Sequence, residues 1–152
     1  MDTSSRIGAA FEAGQGAPEK IINPRTGQTI VEIPEASDAQ VDSAVAAASK
    51  AFDGWSRTTP GERSAMLLKL ADLIERDADA YADLESLNCG KPRHLVLADE
   101  IPGIVDCFRF FAGAVRTMHG PVAGEYLPGF TSMVRCDPVG VRSVHRAVEI
   151  TH

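Results

Sequence analysis

The sequence predicts an α/β fold that is mainly helical, with a β-hairpin near its start and a two-stranded ribbon toward its end. Three observations carry that prediction. Asn23-Pro24-Arg25-Thr26-Gly27 has turn chemistry and is followed by the β-branched run Gln28-Thr29-Ile30-Val31-Glu32-Ile33. Between Ser37 and Met118, apolar residues recur at helical spacing. After Gly120 the texture changes to short β-forming runs separated by Pro128-Gly129.

Taken in order, residues 1–20 are rich in Gly, Ala and Ser and read as a loosely tied strand or arm. Residues 21–119 hold a hairpin and four helices. Pro24 presets φ in the hairpin turn and Gly27 supplies freedom at its far end. Ser37 opens the first helix with Gln40 at capping-box distance, and Val41, Ala44, Val45, Ala48, Phe52 and Trp55 form its apolar stripe. Thr59-Pro60-Gly61-Glu62 starts the second with a hydroxyl cap, a proline at the first helical position and an acid at the third. Its stripe is Met66, Leu67, Leu70 and Ile74. A third helix is expected from about Asp79 to Leu87, with Ala80, Leu84 and Leu87 inward, ending at Asn88-Cys89-Gly90 before Pro92. A fourth is expected from Ile101 to Met118, with Ile104, Val105, Phe108, Phe111 and Val115 on one side. Residues 120–141 then form the ribbon, Val122 to Leu127 against Phe130 to Asp137. Residues 142–152 carry neither capping logic nor clean periodicity.

A chain of 152 residues with 44% apolar content is long enough to build one core, and 24% charged residues are ordinary for a soluble protein. The net charge of -6, without Lys/Arg clusters, excludes nucleic acid and anionic membrane surfaces as expected partners. No apolar run approaches a bilayer span, and the first residues lack the layout of a signal peptide, so a cytoplasmic protein is expected. The three cysteines, Cys89, Cys107 and Cys136, form no CxxC pair and read as free thiols. Cys89 lies near Lys91, which would lower its pKa modestly. Cys107 falls on the fourth helix as a small buried hydrophobe, and Cys136 is inert. His94, His119, His145 and His152 lie on loops or in the tail without an i, i+4 partner, so no metal site is expected. Asp99 and Glu100 suit the positive end of the helix that follows them. Gly14 and Gly16 open no helix and therefore make no dinucleotide motif. Phe52, Trp55, Phe108 and Phe111 are expected in the core rather than around a ligand.

Several ordered signals carry a resemblance. They are the Asn23-Pro24-Arg25-Thr26-Gly27 turn, Trp55 ending the first helix, and Arg63, Leu67 and Ala71 at four-residue spacing. Leu84-Glu85-Ser86-Leu87-Asn88-Cys89-Gly90-Lys91-Pro92 and Arg135-Cys136-Asp137-Pro138-Val139-Gly140-Val141 follow. In that order the chain resembles the N-terminal portion of the NAD(P)-dependent aldehyde dehydrogenase superfamily, nearly throughout up to Val141. Glu85 to Pro92 and Asp106 to Gly113 look most like the aminobutyraldehyde and betaine-aldehyde branch. Asn88-Cys89 departs from the Asp-Thr of many relatives in the way that branch does.

The resemblance implies an enzyme that oxidises an aldehyde, such as 4-aminobutyraldehyde, to its carboxylic acid with NAD or NADP. It implies homo-oligomers through the Val122 to Asp137 ribbon. It also implies that the nucleophilic Cys, the general-base Glu, the oxyanion-holding Asn and the cofactor glycines belong to later motifs. No catalytic, cofactor-binding or metal residue is therefore expected in this chain, which would bind no cofactor and be inactive alone. Some relatives hold a monovalent cation near the positions of Ile21, Ile22 and Asn88, but the acidic ligand is Asn here. Codons for His145-Arg146-Ala147-Val148-Glu149 exist that, read one position later, spell the family's Ile-Ala-Pro-Trp. The tail thus reads as a frameshift just after Val141, which the underlying DNA would reveal. The alternatives are a non-catalytic helical module that docks on full-length subunits, and a pseudogene product without a role.

Overall fold

The computed structural model describes residues 3–118, 124–134 and 136–144. The chain opens with two separate antiparallel hairpins. β1 (Ser5–Ile7) pairs with β2 (Ala10–Glu12) around Gly8, whose φ of 61° serves the turn. The expected loose arm is thus a hairpin, with the Arg6 guanidinium 5.8 Å from the Phe11 ring centroid. β3 (Pro18–Ile22) pairs with β4 (Thr29–Pro34), as the Asn23 turn predicts. A division after Lys20 would cut β3 in two. The pairing runs on past both strands: Gly16 N–H donates to the Glu35 carbonyl at 2.7 Å, and Glu35 N–H donates to Ala17 at 3.0 Å.

Both predicted capping boxes form. At α1 (Asp38–Trp55) the Ser37 hydroxyl accepts from Gln40 N–H while the Gln40 side chain accepts from Ser37 N–H. At α2 (Pro60–Arg76) the same exchange joins Thr59 and Glu62. Hydrogen bonds from the Thr59 backbone and then its hydroxyl hold the Glu62 carboxyl below its usual pKa. α3 (Ala78–Cys89) is a residue longer at its start and two at its end than expected, and closes at Gly90 with φ 74°. Pro92 lies just past this stop but does not end helical structure. It caps α4 (Arg93–Leu95), which leads through a wide π-turn (Val96–Glu100) into α5 (Ile101–Ala114). α5 therefore stops short of the expected Met118. Asp99 and Glu100 lie inside this helical run rather than ahead of a free helix end, because helical structure starts upstream of them at Arg93. The ribbon is shorter than expected: β5 (Glu125–Leu127) pairs with β6 (Phe130–Thr131) around Gly129, φ 82°. Val122, Arg135 and the 145–152 tail lie outside the described residues.

The core sits where α2, α3, the π-turn and α5 converge. Ala71, Ala82, Val96, Ile101 and Val105 are its buried members, with Ile74, Leu97 and Phe108 packed against them. Small side chains at Ala71 and Ala82, both fully buried, and at Ala112 let backbones approach closely. Arg109 on α5 reaches Glu75 at 2.6 Å and Asp72 at 3.3 Å on α2. These exposed pairs set orientation more than stability.

The helix stripes are real, but several face outward. On α3 the buried residue is Ala82, not Ala80, while Leu84 and Leu87 are exposed. On α2 Met66 and Leu70 are exposed, and Ser64 and Ala71 are buried. Phe52 and Phe108 are half-buried, yet Trp55 and Phe111 are 52% and 54% exposed, against their expected core position. The periodicity marks an apolar side without saying what lies opposite it. Of the strands and helices, α1 meets chiefly β1.

Candidate functional site

Two motifs far apart in sequence meet at the end of α3. Inside the first, Gly27 N–H donates to the Asn23 carbonyl at 2.8 Å, Arg25 N–H donates to Asn23 Oδ1 at 2.9 Å, and Asn23 N–H donates to Gln28 at 2.9 Å. Asn23 is thus the turn former that its position predicts. The second motif presents Gly90 to this turn. A Cβ on Gly90 would stand 3.0 Å from Pro24 Cγ and 3.4 Å from Arg25 Cγ, at a φ that already disfavours side chains.

Beyond Gly90, ion pairs fasten the next segment. Lys91 pairs with Glu100, both largely shielded, and Arg93 bridges Asp79 and Asp83 on α3. Lys91→Met would leave the Glu100 carboxylate half-buried without its partner, at a cost of about 1–2 kcal/mol. Adding Glu100→Gln should recover part of that loss. Urea unfolding of the parent, both single variants and the double variant checks this; additive single effects would show that the pair contributes nothing.

Beside this junction lies an apolar trough of about 400 Å³. Leu70 and Ile74 of α2, Tyr81 and Leu84 of α3, and Ile104 and Phe108 of α5 form its walls. Val96 and Ile101 line it too, and Glu85 and Glu100 supply its carboxylates. The trough can cover apolar surface, but it brings together no nucleophile, base and oxyanion donor.

Two of the three cysteines differ from expectation. Cys89 is exposed, and its thiol pKa is pushed up rather than down. Desolvation is the largest cause, followed by its hydrogen bond and charge contact with Glu85, and these outweigh Lys91. A thiol kept protonated is a poor nucleophile. Cys107 is exposed on α5 rather than buried, because Val105 and Phe108 turn toward the core; Cys136 is also exposed. His94 sits on α4 rather than on a loop, and the other three histidines lie outside the described residues. Among the described residues, no group of three or more His, Cys, Asp and Glu side chains is arranged to hold a metal ion. No helix among them is long and apolar enough to cross a membrane.

Sequence reasoning missed the π-turn, the contact between the two motifs and a buried hub at Gln40. Only Pro102, two residues after Glu100, hinted at the first.

The family model for the aldehyde dehydrogenase family matches residues 11–144. The chain belongs to the aldehyde dehydrogenase family. Retinal dehydrogenase 2 of Homo sapiens is 40% identical over 136 residues, covering 86% of this chain and 25% of that protein. An aldehyde dehydrogenase of Aspergillus niger is 38% identical over 135 residues, covering 88% of this chain and 27% of its own length. The NAD+ complex of an aldehyde dehydrogenase from Bacillus cereus matches with a TM-score of 0.84 at 31% identity, covering 91% of this chain and 29% of that one. The chain spans about a quarter of the length of the curated relatives it matches. Its fold is the N-terminal part of the family fold.

Proposed function

We propose that this chain is the N-terminal scaffold of an enzyme that oxidises an amino- or ammonio-aldehyde, such as 4-aminobutyraldehyde, to its carboxylic acid. In that reaction water supplies the added oxygen and NAD+ accepts a hydride. The observation that carries the reading is the family match across 11–144 together with the superposition on an NAD+ complex. Asn88-Cys89 and the Asp106 to Gly113 segment support the aminoaldehyde branch. The same reading has the protein in the cytosol, where three unpaired thiols stay reduced.

On this reading Gly14 and Gly16 supply no dinucleotide cradle. Gly14 and Gly16 open no helix, and the Pro34 and Glu35 backbone fills the space against them. No step of the reaction is assigned to residues of this chain. The purified 152-residue chain is therefore expected to give no aldehyde-dependent absorbance at 340 nm with NAD+ or NADP+. A full-length protein carrying this segment is expected to show a higher kcat/KM for 4-aminobutyraldehyde than for retinal. NADH formation by the chain alone, or a preference for retinal, would overturn the respective part of the reading.

A second reading, a helical module that docks on full-length subunits or on itself, draws on the exposed apolar faces. Val41, Val45 and Trp55 on α1 are about half-exposed, and Leu127 and Phe130 on the ribbon are more so. A two-stranded ribbon is marginal alone and leaves open edges. Light scattering of the isolated chain is expected to show self-association, and mixing with a full-length relative is expected to give a hetero-oligomer. A monodisperse monomer that ignores the relative would rule this reading out.

A further inference from the structure

The helical run from Arg93 to Ala114 is held by two faces that differ in phase by one residue. Ahead of the π-turn, Arg93 is tied to Asp79 and Asp83 of α3, and Val96, the turn's first residue, is buried in the core. After it, Ile101, Val105 and Ala112 are buried and Arg109 is tied to α2. Val96 and Ile101 face the same core although five positions separate them.

In an uninterrupted α-helix the residue one turn before Ile101 is Leu97. Leu97 would then take the place of Val96, and Arg93 would swing about 100° away from its two aspartates. The structure instead has Ile101 N–H donating to the Val96 carbonyl, five residues back. Pro102 follows at once. It has no N–H to give, and in a regular helix its ring would press on the Ala98 carbonyl. Ala98 itself is exposed. Lys91 and Glu100 pair across the whole turn.

We propose that the π-turn is a conformational device that corrects register. One surplus residue, at Ala98, lets the ion-paired face of Arg93 and the buried face of Val105 and Ala112 be satisfied together, and Pro102 keeps the helix from closing over it. The device also decides what the trough displays, since Val96, Glu100 and Ile101 all line it. It depends on neither the cofactor nor the substrate proposed above.

Two variants of the full 152-residue chain test it by NMR, through the hydrogen-bond coupling of the Ile101 amide. Deleting Ala98 together with Pro102→Ala places Val96 one regular turn before Ile101. That variant is expected to keep the Ile101–Val96 coupling and an unchanged melting midpoint, now in a continuous α-helix. A partner other than Val96 would overturn the proposal. Because a deletion can fail to fold for unrelated reasons, the second variant keeps every residue. Pro102→Ala with Arg93→Gln releases the proline block and the ion-paired face, and the coupling is expected to move from Val96 to Leu97. Retention at Val96 there would equally overturn the proposal.

Discussion

Gly14→Ala is expected to be the most damaging single methyl group added to this chain. A Cβ at position 14 would overlap the Pro34 carbonyl oxygen and stand 2.5 Å from that of Glu35. Neither obstacle is a flexible side chain; both are backbone at the end of β4. Relief requires the 13–17 segment to lift away, and that breaks the 2.7 Å Gly16 N–H to Glu35 bond and the Glu35 N–H to Ala17 bond. Overpacking and the lost hydrogen bonds together should cost about 3 kcal/mol. For a chain of this size the melting midpoint should fall by roughly 10 °C. Gly27→Ala is a useful comparison, because there the left-handed φ of 70° is the penalty and nothing lies within 4 Å of the added methyl. Its cost should be about 1 kcal/mol. Calorimetry that ranks the two equally would show that the close approach at Gly14 is not tight.

Gln40→Ala should come second. The residue is 5% exposed and both ends of its amide are bonded: Nε2 donates to the Ala13 carbonyl at 2.9 Å, while Oε1 accepts from Gln15 N–H at 3.0 Å and Ser37 N–H at 3.1 Å. Truncation leaves two donors and one acceptor without partners and removes half of the α1 capping box. The expected loss is about 2 kcal/mol. Gln40→Glu separates the two roles. A carboxylate still accepts from Gln15 and Ser37, but it has no N–H for Ala13 and sets its charge against that carbonyl. Hydrogen exchange should then show α1 intact and the amides of residues 3–17 exchanging faster. If those amides stay as protected as in the parent, Gln40 is only a cap and does not tether the first hairpin to α1.

These two residues show where reading the sequence succeeds and where it stops. Gln40 was legible as a cap because a capping box needs only four consecutive residues. Its bonds to Ala13 and Gln15 were not, since they depend on where an earlier hairpin lies. Gly14 was legible only as a glycine that opens no helix. Its close approach exists because β4 ends where residues 14–17 extend the pairing. Cys89 misled for a related reason. Lys91 is its neighbour in sequence, but local desolvation of the thiol and Glu85, one helical turn back, outweigh that charge. Cys107 was placed inside on residue type alone, whereas on α5 it falls away from the side that Val105 and Phe108 turn to the core.

What the sequence determined by itself is local: the Asn23 turn, the Ser37 and Thr59 caps, the Gly90 stop, the order of hairpin, helices and ribbon, and through the ordered motifs the family. Each is set by backbone sterics or hydrogen bonds among residues a few positions apart. Only the tertiary structure decided which apolar faces are covered, that the Asn23 turn seats against Gly90, and that five residues rather than four carry Val96 to Ile101. Those outcomes depend on contacts between segments distant in sequence, and hydrophobic burial has no direction of its own until another surface is in place.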